Sequence, residues 1–477
     1  MKSSAVSIYC STVYCISFIL LCLYGYMTFT NFDQLILPRN ICLYISTFFS
    51  LLYLWLFRRK NLCCFEFIFF PLFILSFYFQ EIVLNNLDLG TEVFFALSNS
   101  SFISATRNQT LILQLLGFFF FLTGALLGNR AQRIMRCTVQ GQKININYKT
   151  SINCLCFIVG VYLVYLLENG TIKSWFQYSN SNNNFNNTDI VYLTILFLPM
   201  TIMEFTKLAD IGCKSIREII RHINKIYLFE IVLTILLLMI SGNRNEALLI
   251  ALPIVGSYTF FINKIKSSYF VVGLLSGVFL MIFIGMTRQD SVDLSKIRTT
   301  EFGIFENTRD YSFVDINTAY LVEYTNKNGP IYFKNGFLNI ISAVPFLGTI
   351  IKSTFNIDYD IRSPEIATVG LQDAKSDSGL GTSIIGDLYY TAGVFFVILF
   401  MLFMGWLMAY CYNFFYMYKR RNVWLAAIFL FNFSNSVYFI RAEWIMPFRY
   451  VGFTCIIILL CSWLFPKKHN YSIQGLR

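Results

Sequence analysis

Apolar residues in this chain come in long unbroken runs, not in strand-like alternation or in the narrow stripe of a surface helix. A helix crossing a bilayer needs about 20 mostly apolar residues. Twelve stretches approach that length: 6–28, 37–57, 62–84, 111–127, 152–167, 190–203, 226–240, 247–262, 269–286, 384–408, 423–440 and 450–465. The first follows Lys2, lacks a small-x-small cleavage site and is longer than a signal-peptide core, so it reads as a retained helix. The pattern predicts an all-α, polytopic membrane protein of about 12 transmembrane helices.

The polar segments between the runs set the orientation. With the N-terminus in the cytoplasm and one crossing per run, the inside segments hold 22 of the 37 basic residues. They include Arg58-Arg59-Lys60 and Lys419-Arg420-Arg421. The short outside segments hold only Arg39, Arg107, Lys173, Arg244, Arg441 and Arg449. Cytoplasmic loops carry the lysine and arginine excess, so both termini are expected inside. Composition agrees. Only 13% of residues are charged against about 25% in soluble domains, 56% are hydrophobic, and mean hydropathy is +0.59. That excludes a soluble globular enzyme, and it excludes disorder, which needs low hydrophobicity and high charge. The net charge of +11 sits on the predicted cytoplasmic face, beside anionic headgroups, and calls for no nucleic acid. All thirteen cysteines fall in spans or inside loops, where they read as small apolar packing residues.

One polar segment is far longer than the rest. Residues 287–383 form a predicted large periplasmic loop with twelve acidic and nine basic residues. Within it, 337–351 is apolar but interrupted by Pro345 and Gly348, which predicts a helix pair lying in the outer membrane interface. The chain therefore divides into nine spans (1–286), the loop (287–383), and three spans with a cytoplasmic tail (384–477). It contains no phosphate-loop, zinc or dinucleotide motif.

The candidate chemistry lies at the predicted outer face. Arg244 sits in Ser-Gly-Asn-Arg-Asn-Glu between two short apolar runs. The run before it has fifteen residues, about 22 Å of helix, against a hydrocarbon core of about 30 Å. Arg244 is thus expected at or just below the interface, where an arginine needs water or an anion. A snorkelling arginine in an ordinary hairpin explains it equally well. Arg288, Arg441 and Arg449 share the level. Arginine binds phosphate oxygens bidentately and keeps its charge at any working pH. Four of them together suggest a site for a lipid-linked phosphate or pyrophosphate. Glu246, Asp387 and Glu443 lie beside them as candidates for a general base, or as structural ion-pair partners. His222 and His469 fall in cytoplasmic segments.

The hairpin S-G-N-R-N-E-A-L-L, the long loop, the following G-T-S-x-I-G-D-L-Y-Y-x-x-G and the closing arginine hairpin resemble bacterial O-antigen polymerases of the Wzy type. The resemblance implies a GT-C-like glycosyltransferase fold in the bacterial inner membrane. It implies that repeat units carried on undecaprenyl pyrophosphate are joined at the periplasmic face and that undecaprenyl pyrophosphate leaves. It implies no cofactor and no metal, and partners consisting of the lipid-linked oligosaccharide and the bilayer, with a chain-length regulator left open. Arg244 and Arg441, then Arg288 and Arg449, would bind pyrophosphate. The loop would hold the glycan, with Gly379, Gly381 and Gly386 as hinges. The rivals are an O-antigen ligase, whose long loop uses a histidine that this loop lacks, and a flippase of lipid-linked units, whose charges lie deep in the bundle.

Overall fold

A computed structural model describes residues 2–30, 38–58, 61–79, 101–130, 145–170, 188–240, 244–289, 303–334, 354, 362–371, 381–418 and 422–467. Among these residues the fold is all-helical, with no strand. Within the described residues, each of the twelve apolar runs falls wholly or mostly on a helix. Among the described residues, seven helices are long and apolar enough to cross a membrane. The count is eight if a pair bent by 108° is one span. Four more, Phe65–Tyr78, Glu246–Ile262, Ser267–Gly277 and Val423–Asn435, are apolar but shorter. The predicted interfacial pair at 337–351 lies outside the described residues.

The chain forms two compact units. The first comprises Met1–Cys137, Lys266–Asn413 and Asn435–Arg449. Its helices are α1 (Lys2–Thr30), α2 (Arg39–Tyr53), α3 (Phe65–Ile74) and α4 (Ser101–Arg130). The second half of the chain adds α5 (Ser267–Gln289), α6 (Gly303–Asn328), α7 (Ser363–Leu371) and most of α8 (Ile384–Tyr418). Helix α4 is the centre: 83% of its apolar window is buried, against 28% for α1. Glycines allow this. A β-carbon at Gly124 would lie 2.7 Å from the Leu402 carbonyl carbon and 2.9 Å from the Trp406 nitrogen. One at Gly128 would lie 2.5 Å from the Trp406 oxygen. Gly405 of α8 reciprocates against the Phe121 carbonyl and the Ala125 nitrogen of α4. The two helices thus cross backbone to backbone, the close approach that small residues permit in membranes. On the other side of α4, Ser17 of α1 hydrogen-bonds Thr123 at 3.0 Å. An aromatic core of Phe65, Phe69, Phe70, Phe118 and Phe121 fills the space between α3 and α4.

Arg58, expected beside lipid headgroups, is instead fully buried at the end of a π-helical turn that continues α2. Its Nη2 pairs with Glu66 Oε1 at 2.8 Å. Tyr53 donates to the same oxygen, Asn129 accepts from Arg58 Nη1 at 3.1 Å, and the guanidinium lies 4.2 Å from the Tyr412 ring centroid. A buried arginine is tolerated only when paired and hydrogen-bonded, and this network meets that condition while joining α2, α3, α4 and α8.

The second unit comprises Thr138–Ile265, Phe414–Ser434 and Tyr450–Arg477. It is built on α9 (Tyr148–Glu168), α10 (Thr188–Ile211), α11 (Ile216–His222), α12 (Lys225–Ile240) and α13 (Arg244–Ser257). Helix α14 (Val423–Asn435) and α15 (Met446–Leu464) complete it. Helix α10 is its core, with α9 and α13 packed against it. Buried Glu204 of α10 accepts from Lys207 Nζ at 2.6 Å and from the Asn224 N–H at 2.9 Å, which fixes the sharp corner between α11 and α12. The 423–440 run ends as a helix at Asn435 and continues as turns and a short 3-10 helix, Phe439–Arg441, within the first unit.

Candidate functional site

The first unit gathers polar and charged groups around the start of α8. Gly381 has φ +76°, a conformation that a β-carbon disfavours. Asn317 of α6 donates to its carbonyl at 3.3 Å. The Arg441 guanidinium lies over the same residue, with Nη2 3.6 Å from the place a β-carbon would take. Ser383 caps the helix: its Oγ accepts from the Gly386 N–H at 3.2 Å and from Thr318 Oγ1 at 2.6 Å. Thr318 also touches the place of a β-carbon on Gly386, as does Leu321, so Gly386 serves close packing of α8 on α6 and not a hinge. Gly379 lies outside the described residues.

Asp387, one turn into α8, is wholly buried. Its Oδ1 accepts from Ser363 Oγ at 2.6 Å and its Oδ2 from the backbone N–H of Trp444 at 2.7 Å. Ser363 accepts in turn from Thr382 Oγ1 at 2.9 Å. One carboxylate thereby ties together the N-terminus of α7, the entry to α8 and the hairpin that carries Arg441 and Arg449. Glu443, half-buried in that hairpin, is close enough to Asp387 for the two charges to interact. Arg449 is half-buried too, and its Nε has no hydrogen-bond partner among the described residues. A second buried pair stands on the same helix α6: Asp315 accepts from Arg39 Nη1 at 2.7 Å and from Gln114 Nε2 at 2.5 Å.

Helix α8 breaks just beyond this cluster. Ala392 (φ −155°, ψ 30°) and Gly393 (φ 71°, ψ −166°) leave helical geometry. Residues 384–391 are therefore a half-helix that holds Asp387. Two of the carbonyls at the break find partners in the segment after α6. The Ile331 N–H donates to Tyr390 O at 3.1 Å, and the Phe333 N–H donates to Thr391 O at 3.4 Å. To do so the strap turns through Tyr332 (φ 46°) and Phe333 (φ 65°), the non-glycine residues of positive φ among those described. Such backbone costs about 1–3 kcal/mol per residue and persists where surrounding contacts over-determine it. Phe333 supplies such contacts, packing 4.8 Å from Phe396 and 6.1 Å from Trp444, centroid to centroid.

Of the seven residues singled out from sequence, the structure brings Arg441, Asp387 and Glu443 together, with Arg449 on the same hairpin. Arg244 and Glu246 open α13 in the second unit. Arg288 lies in the last turn of α5. The side chains of Arg244 and Arg288 lie outside the described part of the structure. Sequence reasoning missed Ser363, Asn317 and Trp444. Ser363 opens a helix before Pro364, a start signal that is readable, but its pairing with a carboxylate 24 residues later is not.

Searches of the curated proteins and of the solved structures find no match. A family model described as O-antigen polysaccharide polymerase Wzy matches residues 9–469, nearly the whole chain, and the chain belongs to that family.

Proposed function

We propose that this chain joins oligosaccharide repeat units carried on undecaprenyl pyrophosphate at the periplasmic face of the bacterial inner membrane. Family membership supplies the coarser part: a multi-pass membrane protein of lipopolysaccharide biosynthesis, with polymerase glycosyltransferase activity on lipid-linked repeat units. In the finer reading the shorter apolar helices and the bent pair all cross. That gives twelve spans in a GT-C-like fold, with both termini cytoplasmic and 287–383 periplasmic.

The observation that carries the site assignment is the convergence of Arg441 and Glu443 on the Gly381–Asp387 segment. In the reaction an acceptor hydroxyl oxygen attacks the anomeric carbon of the donor glycan. The new glycosidic bond forms as the bond from that carbon to the pyrophosphate oxygen breaks. Charge develops on the departing diphosphate, and guanidinium groups held in place stabilise it without reorganising. We assign this role to Arg441, with Arg449 on the same hairpin, and on sequence alone to Arg288. The assignment of Arg244 rests on its hairpin sequence alone, as does that of Glu246. The hydroxyl proton must go to a base that reaches solvent and substrate. Half-buried Glu443 meets that need. Asp387, enclosed with both oxygens engaged, positions the hairpin instead.

The lipopolysaccharide ladder on a gel tests this. Deletion of the gene leaves core plus a single repeat unit, and loss of even the first unit would point to a ligase or a flippase. Glu443→Gln gives the one-unit band with normal membrane insertion. Asp387→Asn, which keeps an acceptor and the side-chain shape, gives a shortened ladder. A full ladder from Glu443→Gln would remove that residue from the chemistry.

A further inference from the structure

We propose that Tyr332 is a stacking platform for a sugar ring of the lipid-linked glycan, a subsite of the polymerase reading on which the proposal rests. The loop contains many aromatic side chains, and sequence alone distinguishes none. The structure does. Tyr332 is 72% exposed while its own backbone is held by hydrogen bonds from both neighbours, Ile331 and Phe333, to the broken end of the Asp387 half-helix. Phe333, itself 45% exposed, packs one side of its ring on Phe396 and Trp444, which pins the turn and leaves Tyr332 facing out. A strained turn pinned through one ring that displays its neighbour more fully fits a binding element better than a packing element.

The surroundings match a carbohydrate. Trp444, in contact with Phe333, follows the proposed base Glu443 in the hairpin and gives its backbone N–H to Asp387, so the platform is pinned to the segment that carries that base. A pyranose ring presents one face of C–H bonds and a rim of hydroxyls. Its C–H face therefore suits an exposed aromatic ring on a fixed backbone. An exposed tyrosine can also anchor a protein at the lipid headgroups. That role sets the ring at the headgroups and touches no glycan, whereas stacking needs a flat ring against the sugar, so binding of lipid-free polysaccharide separates the two.

The test uses the full chain in nanodiscs and, as probe, lipid-free O polysaccharide cleaved from cells that make it, with binding read by saturation-transfer NMR and by titration. Tyr332→Phe binds within twofold of the parent. Tyr332→Ala and Tyr332→Leu each bind at least fivefold more weakly. In the polymerisation assay the same two variants raise the KM for the lipid-linked unit and leave kcat within a factor of about three. Binding by Tyr332→Leu equal to the parent would overturn the proposal in favour of a headgroup anchor, and unchanged binding by Tyr332→Ala would overturn it outright. If the parent binds polysaccharide through Tyr332 yet makes no polymer, the platform stands and the polymerase reading fails.

Discussion

Glu66→Ala is expected to lower stability by about 3–5 kcal/mol, the cost of leaving a buried charge without its partner. Arg58 and Glu66 are 1% and 0% exposed, so neither charge is screened by solvent. Without the Glu66 carboxylate, Arg58 Nη2 keeps only the Tyr53 hydroxyl at 3.1 Å. Tyr53 in turn loses the acceptor for its own proton. The double variant Arg58→Met/Glu66→Leu removes both charges with little change in volume and is expected within about 1 kcal/mol of the parent, since replacing a buried pair with apolar groups is often neutral. Thermal unfolding in detergent, followed by fluorescence-detected size exclusion, measures the single and double variants as one cycle. A Glu66→Ala protein as stable as the parent would show that Arg58 reaches water.

Gly124→Leu and Gly405→Leu are expected to prevent assembly of the first unit, and the alanine variants to cost about 1–3 kcal/mol, the usual range for an overpacked core. The obstacle in each case is main chain, not a flexible side chain. At Gly124 the new carbon meets the Leu402 carbonyl, and at Gly405 it meets the Phe121 carbonyl. Neither can move without displacing a helix. Gly25 of α1 is the control: nothing lies within 4 Å of the place its β-carbon would take. There alanine should be neutral or stabilising by up to about 1 kcal/mol, from helix propensity. Yield of monodisperse protein and its unfolding temperature separate the three sites. Equal behaviour of Gly25→Ala and Gly405→Ala would contradict the close crossing of α4 and α8.

Most of the spanning helices were legible because lipid exposure and burial both select apolar residues, so each apolar helix announces itself as a run. What the run does not report is which side of a helix faces protein. Arg58 illustrates this. In sequence it belongs to a basic cytoplasmic cluster, and only Glu66 and Asn129 arriving from other segments, with Tyr53 earlier on its own helix, make it a core residue. Helix α6 was hidden for the opposite reason. Its buried face mixes Asp315, Asn317, Thr318 and Thr325 with Val314, Leu321 and Val322, which gives no apolar run to read.

The candidate site was legible in part. Arg441, Glu443 and Asp387 stand out as charges beside predicted spans, and they do gather. Ser363, Asn317 and Trp444 did not stand out, because their roles come from hydrogen bonds between segments far apart in sequence. The break in α8 had one local sign, Gly393 within an apolar helix. The strap that satisfies the broken end had none, since Ile331 and Phe333 use backbone groups common to all residues.

The most direct test of the enzymatic account reconstitutes the purified chain in liposomes with lipid-linked repeat units as the only substrate. The account predicts glycan ladders, one undecaprenyl pyrophosphate released per new linkage, and at least a hundredfold slower release by Arg441→Ala, a loss of about 2.7 kcal/mol in transition-state stabilisation. Polymer formed at the parent rate by Arg441→Ala, or ladders without release of the lipid diphosphate, would contradict it.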